Sequence, residues 1–395
     1  VSDTPNELVV VETAEALRHL ADRLAREPRI ALDTEANSLH AFRERVCVVQ
    51  ISAPGLDAII DPLVVEDLDP LRDVVGRGDV EIVFHGGDYD IAMLSRERGF
   101  RFGRVFDTMI AATLLGDPRV GLAALVETAH GVLLSKKYQT SDWAKRPFSP
   151  AHLEYLRGDT RFLLDLRERF GVRLRDADLE DEAAIEFRRL AERKGVAPAD
   201  DPEAWREAKE ADKLDARGRA IAVRLWAWRD ERAKAHDVPR FRVMNDGTLV
   251  AIAAAAPTSE GALSSVEGTH SITRAGDAAA VLAVVREGTE ASDRGEVPPA
   301  PERPRRTPEE RARADVLRTL EERIRTWRTE EAKRRNVPNV VVLPNVAMRA
   351  ILETPPTSVE ALATHPDIGA KRAARYGETI LALLHAPIPP TPPRR

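Results

Sequence analysis

The chain has 395 residues, of which 43% are hydrophobic and 31% charged, the balance of an ordinary globular protein of two or three domains. Its formal net charge of −6 excludes a global basic field, although a local basic groove for nucleic acid can sit in acidic surroundings. No apolar run reaches membrane-spanning length, no signal-peptide pattern is visible, and the single Cys47 permits no internal disulfide, so a cytoplasmic protein without membrane contact is expected.

Up to about residue 190, short apolar runs alternate with amphipathic stretches. RIALDTE (29–35), RVCVVQIS (45–52), DAIID (57–61) and EIVFH (81–85) read as strands, and AEALRHLADRLA (14–25) and DIAMLSRER (90–98) as helices. This alternation predicts an α/β domain with a mixed sheet. Cys47 reads as a small buried hydrophobe of its strand.

Within RIALDTE, strand alternation puts Asp33 and Glu35 on one face, with Ile30, Leu32 and Thr34 on the other. Two neighbouring carboxylates on an apolar strand repel each other unless a cation or protons intervene, or the strand end lies in water. In VFHGGDYDIAML a strand runs through a Gly-Gly turn into a helix, with Asp88 as the expected N-cap. Asp90 fits either a first-turn acid facing the helix dipole or an inward-facing ligand. His85 and the glycines suggest a tight backbone approach.

The stretch HLEYLRGDTRFLLDLRERF (152–170) reads as one amphipathic helix, started by Ser149 as N-cap and Pro150 at the first turn. Tyr155, Leu156, Phe162, Leu163, Leu166 and Phe170 form its apolar face, and Asp159 falls in the middle of that face. A carboxylate there requires a partner, either a capping hydrogen bond or a metal ion. Tyr155 stands one turn from Asp159, as a core aromatic or as a phenol able to orient a water.

After about residue 205 helix formers dominate, and an internal repeat emerges. WRDERAKAHDVPRFRV (228–243) matches WRTEEAKRRNVPNVVV (327–342) at an offset of 99, and PTSEGAL (257–263) matches PTSVEAL (356–362). Shifted by two more residues, Gly268 and Gly276 pair with Gly369 and Gly377. The expected boundaries are an α/β domain over 1–205, helical copies over 210–288 and 312–387, a Pro- and charge-rich linker over 289–311, and a disordered tail over 388–395. Basic residues near a helix end in each copy suit phosphate contact or compensation of the helix dipole.

Asp33, Glu35, Asp90 and Asp159, drawn from three separated segments, share one explanation. Mg²⁺ and Mn²⁺ take oxygen ligands, and two such ions roughly 4 Å apart can bracket a scissile phosphodiester. No cluster suited to zinc, no Gly-rich phosphate loop for a nucleotide cofactor and no catalytic triad competes.

DTE, HGGDYDIAML and YLRGD resemble the three motifs of the DEDD 3′–5′ exonuclease superfamily in its tyrosine branch. FDTMIAATLL (106–115) and KKYQTSDWAKRPFSPAHLEYLRGDTRFL (136–163) resemble the ribonuclease D family in particular, and the two helical copies resemble HRDC domains. The resemblance implies an α/β ribonuclease H-like exonuclease domain, a mixed sheet flanked by helices, followed by two small all-α HRDC-like domains. It implies that Asp33, Glu35 and Asp159 hold one divalent cation, that Asp33 reaches a second with support from Asp90 through water, and that Tyr155 and Glu35 orient the attacking water. Mg²⁺ or Mn²⁺ would be the cofactor, RNA with a free 3′ end (tRNA precursors among it) the partner, and nucleoside 5′-monophosphates the product. The HRDC-like domains would help grip the RNA. Thr34, Leu39 and His85 are the candidate substrate contacts, with Leu39 in ANSL either stacking on the 3′ nucleotide or serving as a plain core leucine. YLRGD departs from the commoner YAxxD only at Leu156, a packing change. A DNA-directed 3′–5′ exonuclease and a binding protein with vestigial acids are the alternatives.

Overall fold

The computed structural model describes residues 6–196, 201–300 and 307–387. The chain forms two compact units. One draws its described residues from Val1–Glu35, Val46–Val196 and Arg306–Arg395; the other from Ala36–Arg45 and Ala197–Arg305. The tail expected over 388–395 lies outside the described residues.

The first unit is built on a six-stranded sheet of β1 (Glu7–Val11), β2 (Arg29–Ala36), β3 (Val46–Ala53), β4 (Leu56–Ile60), β5 (Glu81–Phe84) and β6 (Arg104–Asp107), in the order β1-β4-β3-β2-β5-β6. The sheet is mixed as expected: β1 and β4 run parallel, β3 and β4 antiparallel, and β2, β5 and β6 parallel. Strands β3, β4 and β5 are buried at every residue, as strands covered on both faces must be. Strands β1 and β6, at the two edges, are short runs absent from the sequence reading. Helices α1 (Ala14–Leu24), α2 (Asp69–Val75), α3 (Asp88–Arg98), α4 (Thr108–Leu115), α5 (Leu122–His130), α6 (Pro150–Gly158), α7 (Leu163–Asp176) and α8 (Glu180–Ala191) complete the α/β part.

The predicted helix over 152–170 is in fact two helices, α6 and α7, which break at Asp159 to Phe162. The break has a tertiary cause. Thr160 is buried, and its hydroxyl lies 2.8 Å from that of Ser52 on β3, which in turn donates to Asp57. Asp159 is therefore the last, capping residue of α6 rather than a residue in mid-helix.

The second helical copy belongs to this same unit, as α15 (Pro308–Arg335), α16 (Asn339–Val342), α17 (Asn345–Glu353), α18 (Val359–Thr364) and α19 (Gly369–His385). Its Val341 is fully buried in the cluster that contains Ala31, Val83, Phe106 and Phe170 of the nuclease part, and Val340 packs against the same cluster. Arg372 on α19 is 1% exposed and donates to the backbone carbonyls of Val341 and Val340. Lys371 pairs with Asp178 at 2.7 Å.

The other unit holds the first copy, α9 (Ala216–Ala235), α10 (Arg240–Val243), α11 (Asp246–Ala255), α12 (Glu260–Ser264), α13 (His270–Arg274) and α14 (Ala278–Asp293). Trp205 is fully buried in its core with Leu225, Leu249 and Val281, so the α/β part ends before the expected residue 205. The expected linker is shortened from both sides, because α14 runs on to Asp293 and α15 begins at Pro308. Gly268 and Gly369 both take positive φ, 84° and 78°, as paired positions should. The pairing of Gly276 with Gly377 fails: Gly276 (φ 77°) separates α13 from α14, whereas Gly377 lies inside α19.

Candidate active site

Strands β2 and β5 run parallel, with Ala31 opposite Val83, so their carboxyl ends reach the same edge of the sheet. Crevices at that edge are where α/β sheets present functional groups. Asp33 and Glu35 lie on β2 near that end. Beside them β5 gives way to His85-Gly86-Gly87 and then α3. Gly86 has φ 71°, and a Cβ on Gly87 would sit 2.6 Å from the Phe84 ring, so each glycine is needed for a different reason.

Asp88 is not the N-cap of α3. Gly87 occupies that position, and its N–H donates to Asp107 Oδ2 at 2.9 Å; Asp88 is an exposed first-turn acid 3.2 Å from Arg193. Asp107 also caps α4, accepting from the backbone N–H groups of Met109 and Ile110. Asp90 turns inward and is 6% exposed. Its Oδ1 accepts from the backbone N–H of Thr34 at 3.0 Å and from the Thr34 hydroxyl at 2.5 Å. Of the two readings of Asp90, the inward-facing one is the observed one, and the Thr34 hydroxyl is committed to this carboxylate.

The third segment enters on α6. Ser149 caps it as expected, in a reciprocal arrangement with His152, and Pro150 follows. Tyr155 and Asp159, one turn apart, both face a cavity of about 460 Å³ that Asp33, Thr34, Glu35 and His85 also line. Leu134, Lys136 and Gln139 contribute to its wall. His85 is a ring rather than a bare backbone approach: its Nδ1 lies 2.9 Å from the Thr108 hydroxyl, and burial pushes its pKa down to about 4, so it is neutral. Leu39 is not among the lining residues. It is 43% exposed, in the segment that belongs to the other unit, and so is not a core leucine.

Trp143 is a site neighbour that the sequence reading did not single out. It is 2% exposed and stacks on Tyr155, with centroids 5.6 Å apart and planes inclined by 25°. Its loop is fastened by Arg146, which donates to the carbonyl of Trp143 at 2.7 Å, the carbonyl of Cys47 at 2.8 Å and the carboxylate of Asp61. The only signal in the sequence was its place within the family-like stretch SDWAKRPFSP.

The electrostatics are those of acids crowded away from water. Burial, followed by the charges of Asp90, Asp159 and Glu35, holds Asp33 well above the ordinary carboxylate range. Burial and then Asp159 and Asp90 push Glu35 up to about 9, with the indole of Trp143 acting in the opposite sense. That indole N–H makes no hydrogen bond of good geometry. Asp90 and Asp159 are raised for the same first reason, burial. Tyr155 is also raised, by burial and then by Asp159 and Glu35, which keeps its phenol protonated.

Asp159 Oδ2 is buried without a hydrogen-bond partner among the described residues. A buried oxygen of this kind is costly unless a cation or proton meets it. An all-oxygen donor set of mutually repelling acids suits a hard divalent cation. Among the described residues no three acidic, His or Cys side chains are already gathered as a closed ligand set. Asp33, Glu35 and Asp159 thus line one cavity without forming a finished cage, and Asp90, held by Thr34, is not among the lining residues.

A 3′–5′ exonuclease family model matches residues 8–175, and the HRDC domain model matches twice, over 219–285 and 318–384. The ribonuclease D of Acidiphilium cryptum (strain JF-5) is 33% identical over 300 residues, which cover 75% of this chain and 76% of that protein. The chain belongs to the ribonuclease D family. Like other ribonucleases D it is a hydrolase, a 3′–5′ exoribonuclease with two HRDC domains, and its exonuclease class depends on divalent metal. The catalytic core of RRP6 from Trypanosoma brucei is similar in structure, with a TM-score of 0.64 and 28% identity over 74% of this chain and 82% of that one. The Escherichia coli RNase D structure shares the fold over 96% of this chain and 99% of its own, with a TM-score of 0.65 and 23% identity. No described helix is long and apolar enough to cross a membrane.

Proposed function

We propose that this ribonuclease D removes nucleotides one at a time from the 3′ ends of small RNAs, tRNA precursors among them, and releases nucleoside 5′-monophosphates. The single observation that carries the site assignment is the partnerless, buried Oδ2 of Asp159 facing the same cavity as Asp33, Glu35 and Tyr155. Asp33, Glu35 and Asp159 would hold one Mg²⁺ or Mn²⁺, and Asp33, with Asp90 behind it, a second. When bound, two such cations activate a water and stabilise the leaving oxygen of an in-line displacement.

The chain's own residues supply the rest. Thr34 fixes the Asp90 carboxylate through two hydrogen bonds, so that acid needs no reorganisation when substrate arrives. The phenol of Tyr155 stays protonated and its ring is braced by Trp143, so its O–H can hold the attacking water in one orientation, with Glu35 as the acceptor on the other side. Lys136 brings a cation to the cavity wall and is suited to a phosphate oxygen. Neutral His85, which lines the cavity, is assigned to the terminal nucleotide. A single buried cysteine fits the reducing cytoplasm.

The test is a time course on a 5′-labelled tRNA with a 3′ extension and on a matched DNA oligomer, with Mg²⁺, Mn²⁺ or EDTA. The expected result is a metal-dependent ladder shrinking from the 3′ end of RNA, with Asp159→Asn reducing the rate by at least about 10³-fold. Equal or faster shortening of DNA would move the assignment to a DNA exonuclease. Full activity of Asp159→Asn would return that carboxylate to a structural role.

A further inference from the structure

The segment Ala36–Arg45, which follows Glu35 directly in the chain, is fastened within its unit to the first HRDC copy. The backbone N–H of Phe42 donates to Asp237 Oδ1 at 3.1 Å. The Phe42 ring is faced by the guanidinium of Arg240 at 4.7 Å and the ammonium of Lys234 at 5.7 Å. Arg242 Nη2 lies 3.4 Å from His40 Nδ1. The basic residues of AKAHDVPRFR therefore do something other than offset a helix dipole: they order this segment.

The sequence neighbours of the His40–Arg242 contact, Leu39 and Phe241, are two exposed apolar side chains. Leu39 is 43% exposed and Phe241 is 54% exposed. The positions 99 residues after Phe241 and Arg242 are Val340 and Val341, and there the same face is packed against the nuclease core. In the first copy Phe241 and Arg242 are exposed instead, and the chemistry differs: an aromatic ring beside Arg242, while Arg240 is held by Asp230 at 2.6 and 2.8 Å. Residues 36–45 and 230–242 together carry six Lys or Arg and four Asp or Glu, a local positive excess in a chain of net charge −6. An aromatic platform beside a cation is how proteins hold single-stranded nucleic acid without reading its sequence.

We infer that the surface of Leu39, His40, Phe241 and Arg242 holds the single strand of RNA upstream of the 3′ end, with a base stacked on Phe241 and a phosphate at Arg242. The inference rests on the exoribonuclease assignment and adds a named contact for the strand beyond the terminal nucleotide. It also gives the two copies different tasks: the second is part of the catalytic unit's core, and the first is a grip.

The experiment is fluorescence anisotropy of the full chain in EDTA with 5′-labelled oligoadenylates of about 20 and about 4 nucleotides. Phe241→Ala is expected to weaken the longer probe about tenfold and to lower the ratio of short-probe to long-probe dissociation constants by the same factor. Phe241→Trp, which keeps an aromatic face, restores it, and Arg242→Ala reduces the slope of log affinity against log salt by about one. Unchanged long-probe binding in Phe241→Ala overturns the inference. So does an equal loss on both probes that Phe241→Trp fails to restore, or a change from dimer to monomer on sedimentation, which would make this face a contact between copies. Wild-type protein that binds the long probe through Phe241 yet degrades no RNA with Mg²⁺ or Mn²⁺ would sink the ribonuclease assignment and leave this contact standing.

Discussion

The two HRDC copies are alike inside and unlike outside. In the first, Arg229 is 1% exposed and its Nη1 donates to the Met244 carbonyl at 3.1 Å and to Asp246 Oδ1 at 2.5 Å. In the second, Arg328 repeats the arrangement 99 residues later, donating to the Leu343 carbonyl at 3.0 Å and to Asn345 Oδ1 at 2.7 Å. Each buried guanidinium ties the long first helix of its copy to the turn before the third, so the copy keeps its form whatever its surface does. The outer positions have diverged freely: Phe241 and Arg242 face solvent in part, whereas Val340 and Val341 are packed in the nuclease core. Duplication here preserved a scaffold and released a face.

The contrast can be broken most severely at that face. Val341→Asp puts a charge into a fully buried apolar cluster and should cost at least about 3 kcal/mol, with loss of nuclease activity. Its counterpart Arg242→Asp should leave the unfolding free energy within about 0.5 kcal/mol of wild type. Equal destabilisation by the two would refute the different assignments of the copies.

A pH series in EDTA separates the units next. Glu35 is pushed up to about 9 and Asp33 is raised as well, so the folded metal-free protein keeps protons that the unfolded chain releases above about pH 4. The unfolded state then binds fewer protons, and stability must fall as pH rises from about 5 through about 9. Calorimetry should find that slope in the catalytic unit alone, because the other unit has no buried carboxylate among its described residues. Mg²⁺ or Mn²⁺ at a hundredfold excess over its dissociation constant should add about 2.7 kcal/mol and flatten the slope. A midpoint that rises with pH, or ignores the cation, would contradict the site.

Smaller effects test the shared scaffold. Arg229→Met and Arg328→Met should each cost about 1–3 kcal/mol, since each leaves a buried carbonyl without its donor. Only the second should also slow the nuclease, and chemical denaturation with parallel rate measurements would tell. Smallest is Asn345→Asp, which gives the second copy the ion pair of the first. At the first turn of α17 it should stabilise by about 0.5 kcal/mol, read as a shift in denaturation midpoint.

Much of the site was legible because it depended on short periods. Alternation along β2 put Asp33 and Glu35 on one face, and the helical spacing of Tyr155 and Asp159 survived even though the helix containing them ends at Asp159. That break was invisible because the helix formers continue through it; what stops α6 is Thr160 reaching Ser52, 108 residues away in sequence. The capping of α3 was misjudged for the same reason. Asp88 has the right chemistry at the right place, but Asp107, 20 residues on, reaches Gly87 first. Trp143 had no signature beyond its place in a family-like stretch, since it owes its position to Arg146 bridging to Cys47 and Asp61. Remote residues could be brought together only where a shared chemistry, as for Asp33, Glu35 and Asp159, called for it.

The chain enters the unit of the first HRDC copy at Ala36, leaves it after Arg45, and is in it again where the described residues resume at Asp201. The modules are therefore not beads in series. Excising residues 197–305 to obtain a minimal nuclease would also strip Phe42 of Asp237, Lys234 and Arg240, and so release the segment that directly follows the catalytic strand. A truncated enzyme with altered turnover would report on an unmoored loop as much as on a missing domain. Single substitutions at this junction, rather than deletions, are the cleaner way to ask what the first copy contributes.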